Sequence, residues 1–393
     1  MSRHPIVRLY READRTAVDE LYARVFGPSL AAHFRRRWQW EFDGVPGTRA
    51  AGNLVAERDG RIIAHLGRLP ARVSIAGHVV QGAFLTDLMA DPTGSGLASL
   101  RLIDEALKDL PVAMLLGGKP NTQQLYARVG MRPLPIGQML VRIERPAGAM
   151  AAAAHRIARR RFPGRERYVG RWLFALPGVA ARPFLAVLQR RSAARPRAAF
   201  RIERLLAFDA RFDLLWQGMH ERCPVACVHD RAFLQWRYGD ALTGDYVTLG
   251  AFDERGHLAA AAVLAEVTTG PSSYGKFMEC LYSSTAALDA LLDASLEHLR
   301  RSGVDLTVAA GLSVEARAAL RERGFRPTGR SRGFALTANV SAEHEELLRR
   351  PENWYVSPGD GDEDFAETVT AEPPQRQPKT AWQIVFRKRT AWR

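Results

Sequence analysis

The sequence predicts an α/β (α+β) protein with two tandem domains, each a mixed, mostly antiparallel sheet flanked by helices. Two observations lead to this prediction. The length of 393 residues corresponds to two domains plus connecting segments. In addition, segments of the first half recur in order in the second half, and the repeated unit runs from strand patterns into helix patterns.

Three pairs of matching segments carry the repeat, at offsets of 194 to 196 residues. They are QWEF at 39–42 with QWRY at 235–238, LVAERDGRIIA from Leu54 with LGAFDERGHLA from Leu249, and RVGMRP from Arg128 with ERGFRP from Glu322. Three matches in the same order at a nearly constant offset indicate an internal duplication. The predicted divisions are an N-terminal domain at 1–146, a basic Arg- and Ala-rich connector at 147–200, a second domain at 201–340 and a tail at 341–393.

The first copy begins with strands and continues into a helix and a buried strand. From 53 to 91, strand patterns are joined by the turn pairs Asp59-Gly60 and Ala76-Gly77, which favour hairpins. Apolar residues then recur at nearly helical spacing over 97–107. The short, wholly apolar run that follows, VAMLLGG at 112–118, is typical of a central buried strand.

A second helix is predicted over 122–129, with Asn121 placed to cap it and Gly130 to end it. Two short strands follow within 131–144. The copy is therefore expected to form a mixed sheet with helices packed against it.

The turn at 93–96 lies between a strand and a helix. Gly94 and Gly96 allow the backbone to come close to an anion, and a helix N-terminus adds unpaired N–H donors and a partial positive charge. The turn is thus suited to bind a phosphate. A plain strand-to-helix turn explains the same glycines, and the Gly-x-Gly pattern alone does not separate the two.

Taken with the second helix, this turn resembles the GCN5-related N-acetyltransferase (GNAT) superfamily, over most of residues 6–145. In that family a Gln/Arg-x-x-Gly-x-Gly/Ala loop holds the pyrophosphate of acyl-coenzyme A. Here the loop reads TGSGLA, in which Gly96 and Ala98 match the small positions and Thr93 replaces the usual Gln or Arg. The downstream pattern of the family is matched by Asn121, Leu125, Tyr126, Gly130 and Met131.

The resemblance implies two GNAT-like domains, with an acyl-coenzyme A site in the first. Acetyl- or another acyl-coenzyme A is the expected co-substrate, and no metal is expected. The residues implied to hold it are Met89, Ala90, Thr93, Gly94, Ser95, Gly96, Leu97, Ala98 and Asn121. Backbone N–H groups near Met89 and Ala90 would polarise the thioester carbonyl.

Two side chains are candidates for proton transfer. In many family members a tyrosine at the position of Tyr126 protonates the leaving thiolate, although a tyrosine on a helix can also simply pack. Asp87 leaves the strand on the same face as Met89 and can accept the amine proton. It can equally pair with an arginine or cap a turn. Glu41, Asp43 and His65 are the other candidates for the base. The aromatic residues Trp38, Trp40 and Phe42 either line an acceptor pocket or belong to the core.

The second copy lacks the loop. No glycine follows its strand in MECLYSSTAALDALLDASLEHL, and Leu320 and Glu315 stand where the first copy has Tyr126 and Asn121. We therefore expect a catalytically silent copy that builds part of the acceptor site or of the interface.

Most of the net charge of +14 comes from one segment. Residues 151–200 contain twelve arginines, no lysine and one acid, and so carry +11 of it. A cover packed on the two domains explains this composition, and so do amphipathic helices on an anionic membrane surface. Nucleic acid is the least favoured partner, because paired-domain aminoacyltransferases that use transfer RNA lack the loop retained here.

Composition restricts the location and the chemistry. No apolar run reaches the ~18 residues of a membrane span, and the N-terminus has no signal pattern. Three cysteines are too few for a disulfide framework. We therefore expect a cytoplasmic protein, with peripheral contact to the inner membrane as an open alternative. The His and Cys residues of HERCPVACVHD at 220–230 match no common zinc spacing.

The sequence therefore predicts an acyl-coenzyme A-dependent N-acyltransferase. The acceptor is expected to be a small-molecule or sugar amine, with an amino sugar or polysaccharide precursor as one option. The alternative is a non-catalytic protein that binds acyl-coenzyme A or acts as a scaffold at a membrane surface.

Overall fold

The computed structural model describes residues 5–49, 51–91, 96–118, 120–162, 180, 200–239, 245–269, 271–331 and 334–361. The strands are β1 (Ile6–Leu9), β2 (Leu54–Arg58), β3 (Arg61–Ile75), β4 (His78–Ala90), β5 (Val112–Leu116), β6 (Arg132–Leu134), β7 (Gln138–Ile143), β8 (Arg201–Leu205), β9 (Val225–Cys227), β10 (Tyr246–Phe252), β11 (Leu258–Thr269), β12 (Ser272–Tyr282), β13 (Leu306–Ala310), β14 (Arg326–Ser331), β15 (Phe334–Ala338) and β16 (Trp354–Tyr355). The helices are α1 (Arg15–Phe26), α2 (Pro28–Phe42), α3 (Gly96–Ala106), α4 (Pro120–Arg128), α5 (Pro146–Arg161), α6 (Ala210–Arg222), α7 (Arg231–Tyr238), α8 (Thr285–Ser302), α9 (Val314–Glu322) and α10 (Ala342–Arg349).

The first sheet has the order β1-β2-β3-β4-β5-β15-β6, and β9 pairs with the far end of β3. Within this order only β4 and β5 are parallel. The turns Asp59-Gly60 and Ala76-Gly77 join β2 to β3 and β3 to β4, with positive φ at all four residues. This geometry suits a two-residue hairpin, so the predicted turns are confirmed.

The second sheet has the order β14-β7-β13-β12-β11-β10-β8, and only β12 and β13 are parallel. Both sheets are therefore mixed and mostly antiparallel, and helices flank them. The predicted fold class, two GNAT-like domains of this construction, is confirmed.

Each half of the chain contributes to the sheet of the other half. β7 lies between β13 and β14 in the second sheet, and β15 lies between β5 and β6 in the first. Leu140 of β7 is buried in the core of the second domain, whereas Phe334 and Leu336 of β15 are buried in that of the first. Neither sheet is therefore complete without the other half of the chain.

A reciprocal contact between α2 and α7 joins the domains. Trp40 and Trp236, which the sequence repeat matches to each other, stack with ring centroids 4.4 Å apart. The Nε1–H of each indole donates to the backbone carbonyl of the other residue, at 3.1 Å in both cases. The aromatic pair therefore belongs to the interface between the domains.

Helices cover opposite faces of the first sheet. α3 and α4 pack on one face around Leu102 and Tyr126, and α1 and α2 pack on the other around Phe34 and Trp38. We call these the α3 face and the α1 face. Side chains alternate along β5 in the same way, since Leu115 joins the core of the α3 face whereas Leu116 joins the opposite one.

The end of α4 lies within one residue of the sequence prediction, and its beginning lies two residues earlier than predicted. Gly130 has φ 96°, and the N–H of Met131 donates to Tyr126 O at 3.1 Å, which closes the helix. α4 begins at Pro120, a residue favoured at the first helical position, so Asn121 lies in the first turn rather than ahead of it.

Candidate functional site

β4 and β5 separate partway along their length. Their parallel ladder joins Gly82–Phe84 to Val112–Met114 and stops there. Beyond it, β4 continues to Ala90 paired with β3 alone, and β5 continues to Leu116 paired with β15. The result is an opening through the sheet, closed at Phe84 and Met114, which we call the N-terminal gap.

Several of the residues expected to hold a carrier line the path from β4 to α3. Met89 is buried on the α1 face, and Ala90 packs on the α3 face. Ala98 is buried in the first turn of α3, and the neighbouring Leu97 is 62% exposed. These positions leave the first turn of α3 accessible beside the end of β4.

The centre of the predicted loop lies outside the described residues, namely Thr93, Gly94 and Ser95. β4 ends at Ala90 and α3 begins at Gly96, so the loop does connect a strand to a helix. That order is the context in which a glycine turn binds phosphate.

Tyr126 lies in α4 and is 1% exposed. It belongs to the packed cluster of the α3 face that also holds Leu115, at the edge of the N-terminal gap. Burial raises the pKa of the Tyr126 phenol above its ordinary value, so the phenol is protonated at neutral pH. The position suits a proton donor, and the packing equally suits a core residue.

Asp87 lies at a bulge of β4, where Asp87 and Leu88 together oppose Leu66 of β3. Its backbone has φ 46°, which is uncommon for a residue other than glycine. The buried carboxylate forms an ion pair with Arg37 at 3.1 Å and accepts a hydrogen bond from the Tyr22 hydroxyl at 3.2 Å. The carboxylate of Asp87 is thus anchored by Arg37 and Tyr22, and an amine would have to compete with the guanidinium for it.

Two of the three other predicted base candidates, His65 and Glu41, lie beside this ion pair. His65 is fully buried, its Nδ1 lies 3.3 Å from Asp87 O, and Nε2 has no hydrogen-bond partner among the described residues. Burial lowers the pKa of His65 to about 4, so its imidazole is neutral. Glu41 is also fully buried and pairs with Arg37 at 3.1 Å, whereas Asp43 is exposed.

β12 and β13 of the second domain separate in the same way. Their ladder joins Tyr274–Phe277 to Leu306–Ala309, and β12 then continues to Tyr282 paired with β11. We call this opening the C-terminal gap. The chain's own segment Trp354–Gly361 runs into it.

Tyr355 and Val356 bond to both walls of the C-terminal gap. The Tyr355 hydroxyl accepts a hydrogen bond from Cys280 N at 3.0 Å on β12. Val356 O accepts one from Leu312 N at 2.5 Å, just after β13. A Cβ at Gly311 would lie 2.2 Å from Val356 O, so the close approach requires glycine there. The C-terminal gap is therefore occupied by protein.

A buried charge cluster holds this segment in place. His229 Nε2 lies 2.7 Å from Asp360 Oδ1, and its Nδ1 lies 3.1 Å from Glu279 Oε2. Glu279 also accepts hydrogen bonds from the hydroxyls of Tyr238, Tyr355 and Ser357. Sequence reasoning missed this cluster, because its members lie up to 131 residues apart and form no motif.

The two carboxylates keep His229 charged. Burial alone would lower the pKa of His229, but Glu279 and Asp360 outweigh it and raise the pKa to about 10. For Glu279, burial by itself would raise the pKa of the carboxyl, yet the charged His229 and the hydrogen bonds hold it below its ordinary value.

Replacing His229 with glutamine is expected to destabilise the protein by about 3–5 kcal/mol near neutral pH, because two buried carboxylates lose their cation. The pKa of His229 in the folded protein lies above its unfolded value of 6.5. The stabilisation by the charged imidazole is therefore complete below about pH 6.5 and is lost as the pH rises through about 10. Denaturant unfolding of the parent protein and of His229→Gln, at pH about 7 and about 10, should show that the difference between their free energies of unfolding is smaller at the higher pH. The control is His257→Gln, on an exposed histidine beside Asp253; an equal difference at both pH values would contradict the assignment.

A pocket between the two domains opens on the α1 face. It is lined by Val45, Pro46, Thr48, Leu69, Pro70, Ala71, Arg72, Phe84, Cys227, Val228, Phe233, Trp236 and Asp360. Phe84 belongs to the last paired position at the closed end of the N-terminal gap, so the pocket adjoins the gap. Segments from both halves of the chain form its walls.

Neither a metal centre nor a membrane span is seen in the described parts of the chain. No group of three or more His, Cys, Asp or Glu side chains there is arranged to hold a metal ion. Of the helices that the structure describes, none combines the length and the apolar character needed to cross a bilayer.

α3 and α4 lie on one face of the first sheet, beside the gap between its two parallel strands. Residues 6–130 match the family described as acetyltransferase (GNAT) domain. This part of the N-terminal half is therefore similar to N-acetyltransferase domains of that family. No curated protein matches the sequence.

Solved structures with the same fold cover both halves of the chain. A GCN5-related N-acetyltransferase from Anabaena variabilis matches with 14% identity and a TM-score of 0.57, over 85% of this chain and 72% of that one. A probable N-acyltransferase from Enterococcus faecalis matches with 10% identity, a TM-score of 0.56 and the same shares. N-myristoyltransferase from Saccharomyces cerevisiae with bound myristoyl-coenzyme A matches with 11% identity and a TM-score of 0.52, over 87% of this chain and 84% of that one. At these identities the likeness is one of fold.

Proposed function

We propose that the protein transfers an acyl group from acyl-coenzyme A to an amine, using a single carrier site in the N-terminal domain. The observation that carries this proposal is the contrast between the two gaps. The N-terminal gap opens beside the accessible first turn of α3, whereas the C-terminal gap is filled by Trp354–Gly361.

The carrier supplies an activated acyl thioester, and the residues of this chain bind and orient it. The N–H groups of the first turn of α3 and of residues 93–96 suit the diphosphate. Backbone N–H groups near Met89 and Ala90 would stabilise the oxyanion. The amine nitrogen forms the amide bond, the carbon–sulfur bond breaks, and Tyr126 protonates the departing sulfur.

Asp87 is the proposed proton acceptor. Arg37 and Tyr22 already contact its carboxylate, so the proton of the amine would reach it through water. No covalent enzyme intermediate is needed, because the amine attacks the thioester directly.

The alternative functions predict different results. A non-catalytic binder would hold acetyl-coenzyme A and release no thiol with any amine. A membrane scaffold would sediment with anionic liposomes, and would lose this property when residues 151–200 are removed. Most of that segment lies outside the described residues.

Calorimetric titration with acetyl-coenzyme A is expected to give one equivalent bound per chain. The reason is that segment Trp354–Gly361 already bonds to both walls of the C-terminal gap. Two equivalents per chain would contradict the proposal of a single carrier site, and no binding at all would contradict the proposed function.

Substituting Leu97 by glutamate is expected to weaken acetyl-coenzyme A binding about tenfold or more. Leu97 is exposed in the first turn of α3, where a carboxylate would repel the diphosphate. The fold should tolerate the change, because acidic residues are favourable near a helix N-terminus. The matched control is Leu97→Gln, because glutamine has the shape of glutamate but no charge. If both variants bind equally well, the diphosphate is not at this turn.

A further inference from the structure

Resting on the proposed function, we infer that His65 is a positioning residue of the transfer reaction, which acts by holding the bulge of β4 at Asp87. The imidazole contacts the backbone of the bulge directly. The bulge in turn decides on which side of the sheet the Asp87 carboxylate lies.

The bulge changes which face the side chains of β4 occupy. Side chains alternate between the two faces of a regular strand. Leu85 packs on the α3 face, so Asp87 and Met89 would lie there too in a regular strand. In the folded protein Leu88 and Ala90 pack on the α3 face instead, and Met89 is buried on the α1 face. The extra residue at the bulge therefore reverses the alternation.

The reversal places Asp87 on the α1 face. Its carboxylate contacts Arg37 of α2 and the Tyr22 hydroxyl of α1, whereas Tyr126 is packed on the α3 face. The proposed proton acceptor and the proposed proton donor thus lie on opposite sides of the sheet. This division lets the amine approach the N-terminal gap from one side while the sulfur leaves on the other.

The bulge is unfavourable for the backbone. Asp87 has φ 46°, a conformation disfavoured for a residue that carries a Cβ. A bulge also takes backbone groups of the extra residue out of the regular ladder, and buried carbonyl groups require a hydrogen-bond donor. Side-chain contacts are therefore needed to keep β4 in this shape.

His65 supplies one of these contacts. It lies opposite Met89 in the ladder of β3 and β4, and its Nδ1 lies 3.3 Å from Asp87 O. A carbonyl oxygen only accepts hydrogen bonds, so Nδ1 carries the proton and donates it. Nε2 then holds the lone pair, and it has no hydrogen-bond partner among the described residues.

Aromatic rings of α2 hold the imidazole in place. Trp38 lies against it with ring centroids 5.6 Å apart, and Phe34 meets it edge-on at 6.3 Å. Burial lowers the pKa of His65 to about 4, which keeps the imidazole neutral at neutral pH. A fixed and neutral ring suits the holding of a backbone carbonyl better than it suits the removal of a proton from an amine.

The test is a pair of substitutions that each keep one nitrogen position. The side-chain amide of asparagine places an N–H near the position of Nδ1, whereas that of glutamine reaches the position of Nε2. We expect His65→Asn to retain kcat within about fivefold and His65→Gln to lower it about tenfold or more, because a small displacement of a reacting group has effects of this size. The matched control is His257→Gln, on an exposed histidine of the second domain, which should leave kcat unchanged.

The rate is thiol release from acetyl-coenzyme A with phenylethylamine or glucosamine, whichever amine the parent protein uses faster. Calorimetry should show that both His65 variants bind acetyl-coenzyme A like the parent protein, so that the loss lies in kcat alone. If His65 only filled space, the smaller asparagine would be the more harmful substitution, since it leaves the larger cavity. The order of the two activities therefore separates positioning from packing.

A nuclear magnetic resonance spectrum tests the same contact in the parent protein. With ¹⁵N-labelled histidine, the imidazole signal that is lost in His65→Gln should be that of a neutral ring protonated at Nδ1, with no titration between pH about 5 and about 8. A ring protonated at Nε2, or a loss of rate in His65→Asn as large as in His65→Gln, would overturn the inference. If the parent protein does not bind acetyl-coenzyme A, the proposed function itself fails, and the spectrum still decides whether His65 holds the bulge.

Discussion

Replacing Tyr126 with phenylalanine is expected to lower kcat by about 10²–10⁴-fold while leaving the affinity for acetyl-coenzyme A nearly unchanged. General acid catalysis typically contributes an effect of this size, and removal of one hydroxyl leaves the packed cluster of the α3 face intact. Thiol release with a saturating amine measures the rate, and calorimetry measures the affinity. Because burial raises the pKa of the phenol, its titration should not reduce the rate anywhere near neutral pH.

The matched control is Tyr274→Phe, which removes a half-buried phenol from β12 of the second domain. Its kcat should equal that of the parent protein. Unchanged turnover in Tyr126→Phe would remove Tyr126 from the mechanism and leave it a packing residue. A loss of carrier affinity equal to the loss of rate would show that the hydroxyl binds rather than donates a proton.

Replacing Leu140 with alanine is expected to lower the free energy of unfolding by about 2–5 kcal/mol, the usual range for a fully buried leucine. Leu140 belongs to the N-terminal half of the sequence, but its side chain lies in the core of the second domain. Since β7 and β15 are exchanged, we expect both domains to lose stability together, in one cooperative transition. Denaturant unfolding followed by tryptophan fluorescence and circular dichroism measures this.

Ile143→Ala is the matched control, because Ile143 lies on the same strand and is 38% exposed. Its effect should be about 1 kcal/mol or less. Two separated transitions, with the change in Leu140→Ala confined to the second domain, would show that the exchanged strands do not couple the domains.

The elements that the sequence predicted correctly are those specified by local chemistry. Asp59-Gly60 and Ala76-Gly77 form hairpin turns because positive φ is accessible to glycine and tolerable for its short neighbours. Gly130 ends α4 for the same reason. The apolar run at 112–116 became the central strand β5, whose residues are all buried.

The strand exchange had no local signal. β7 and β15 have the same apolar pattern whichever sheet they join, because a strand is specified by its alternation and not by its partner. The repeat indicated that Trp40 and Trp236 are equivalent, yet nothing in their spacing showed that they would stack on each other.

The features of the candidate site also divide into those visible in a local sequence pattern and those visible only in the folded structure. The turn at 93–96, Tyr126 and the missing glycine of the second copy could be found in the sequence, because each is a contiguous pattern. The filling of the C-terminal gap by Trp354–Gly361 could not, nor could the cluster of His229, Glu279 and Asp360. Those contacts depend on where distant segments meet.

The amino-acid sequence by itself therefore determined the fold class and the tandem arrangement of strand and helix patterns, since these follow from periodicity and turn chemistry. Only the tertiary structure decided that Trp354–Gly361 fills the C-terminal gap, which strands are exchanged and what lines the pocket between the domains. The physical reason is that burial and hydrogen bonding between segments far apart in the sequence leave no local pattern in the chain.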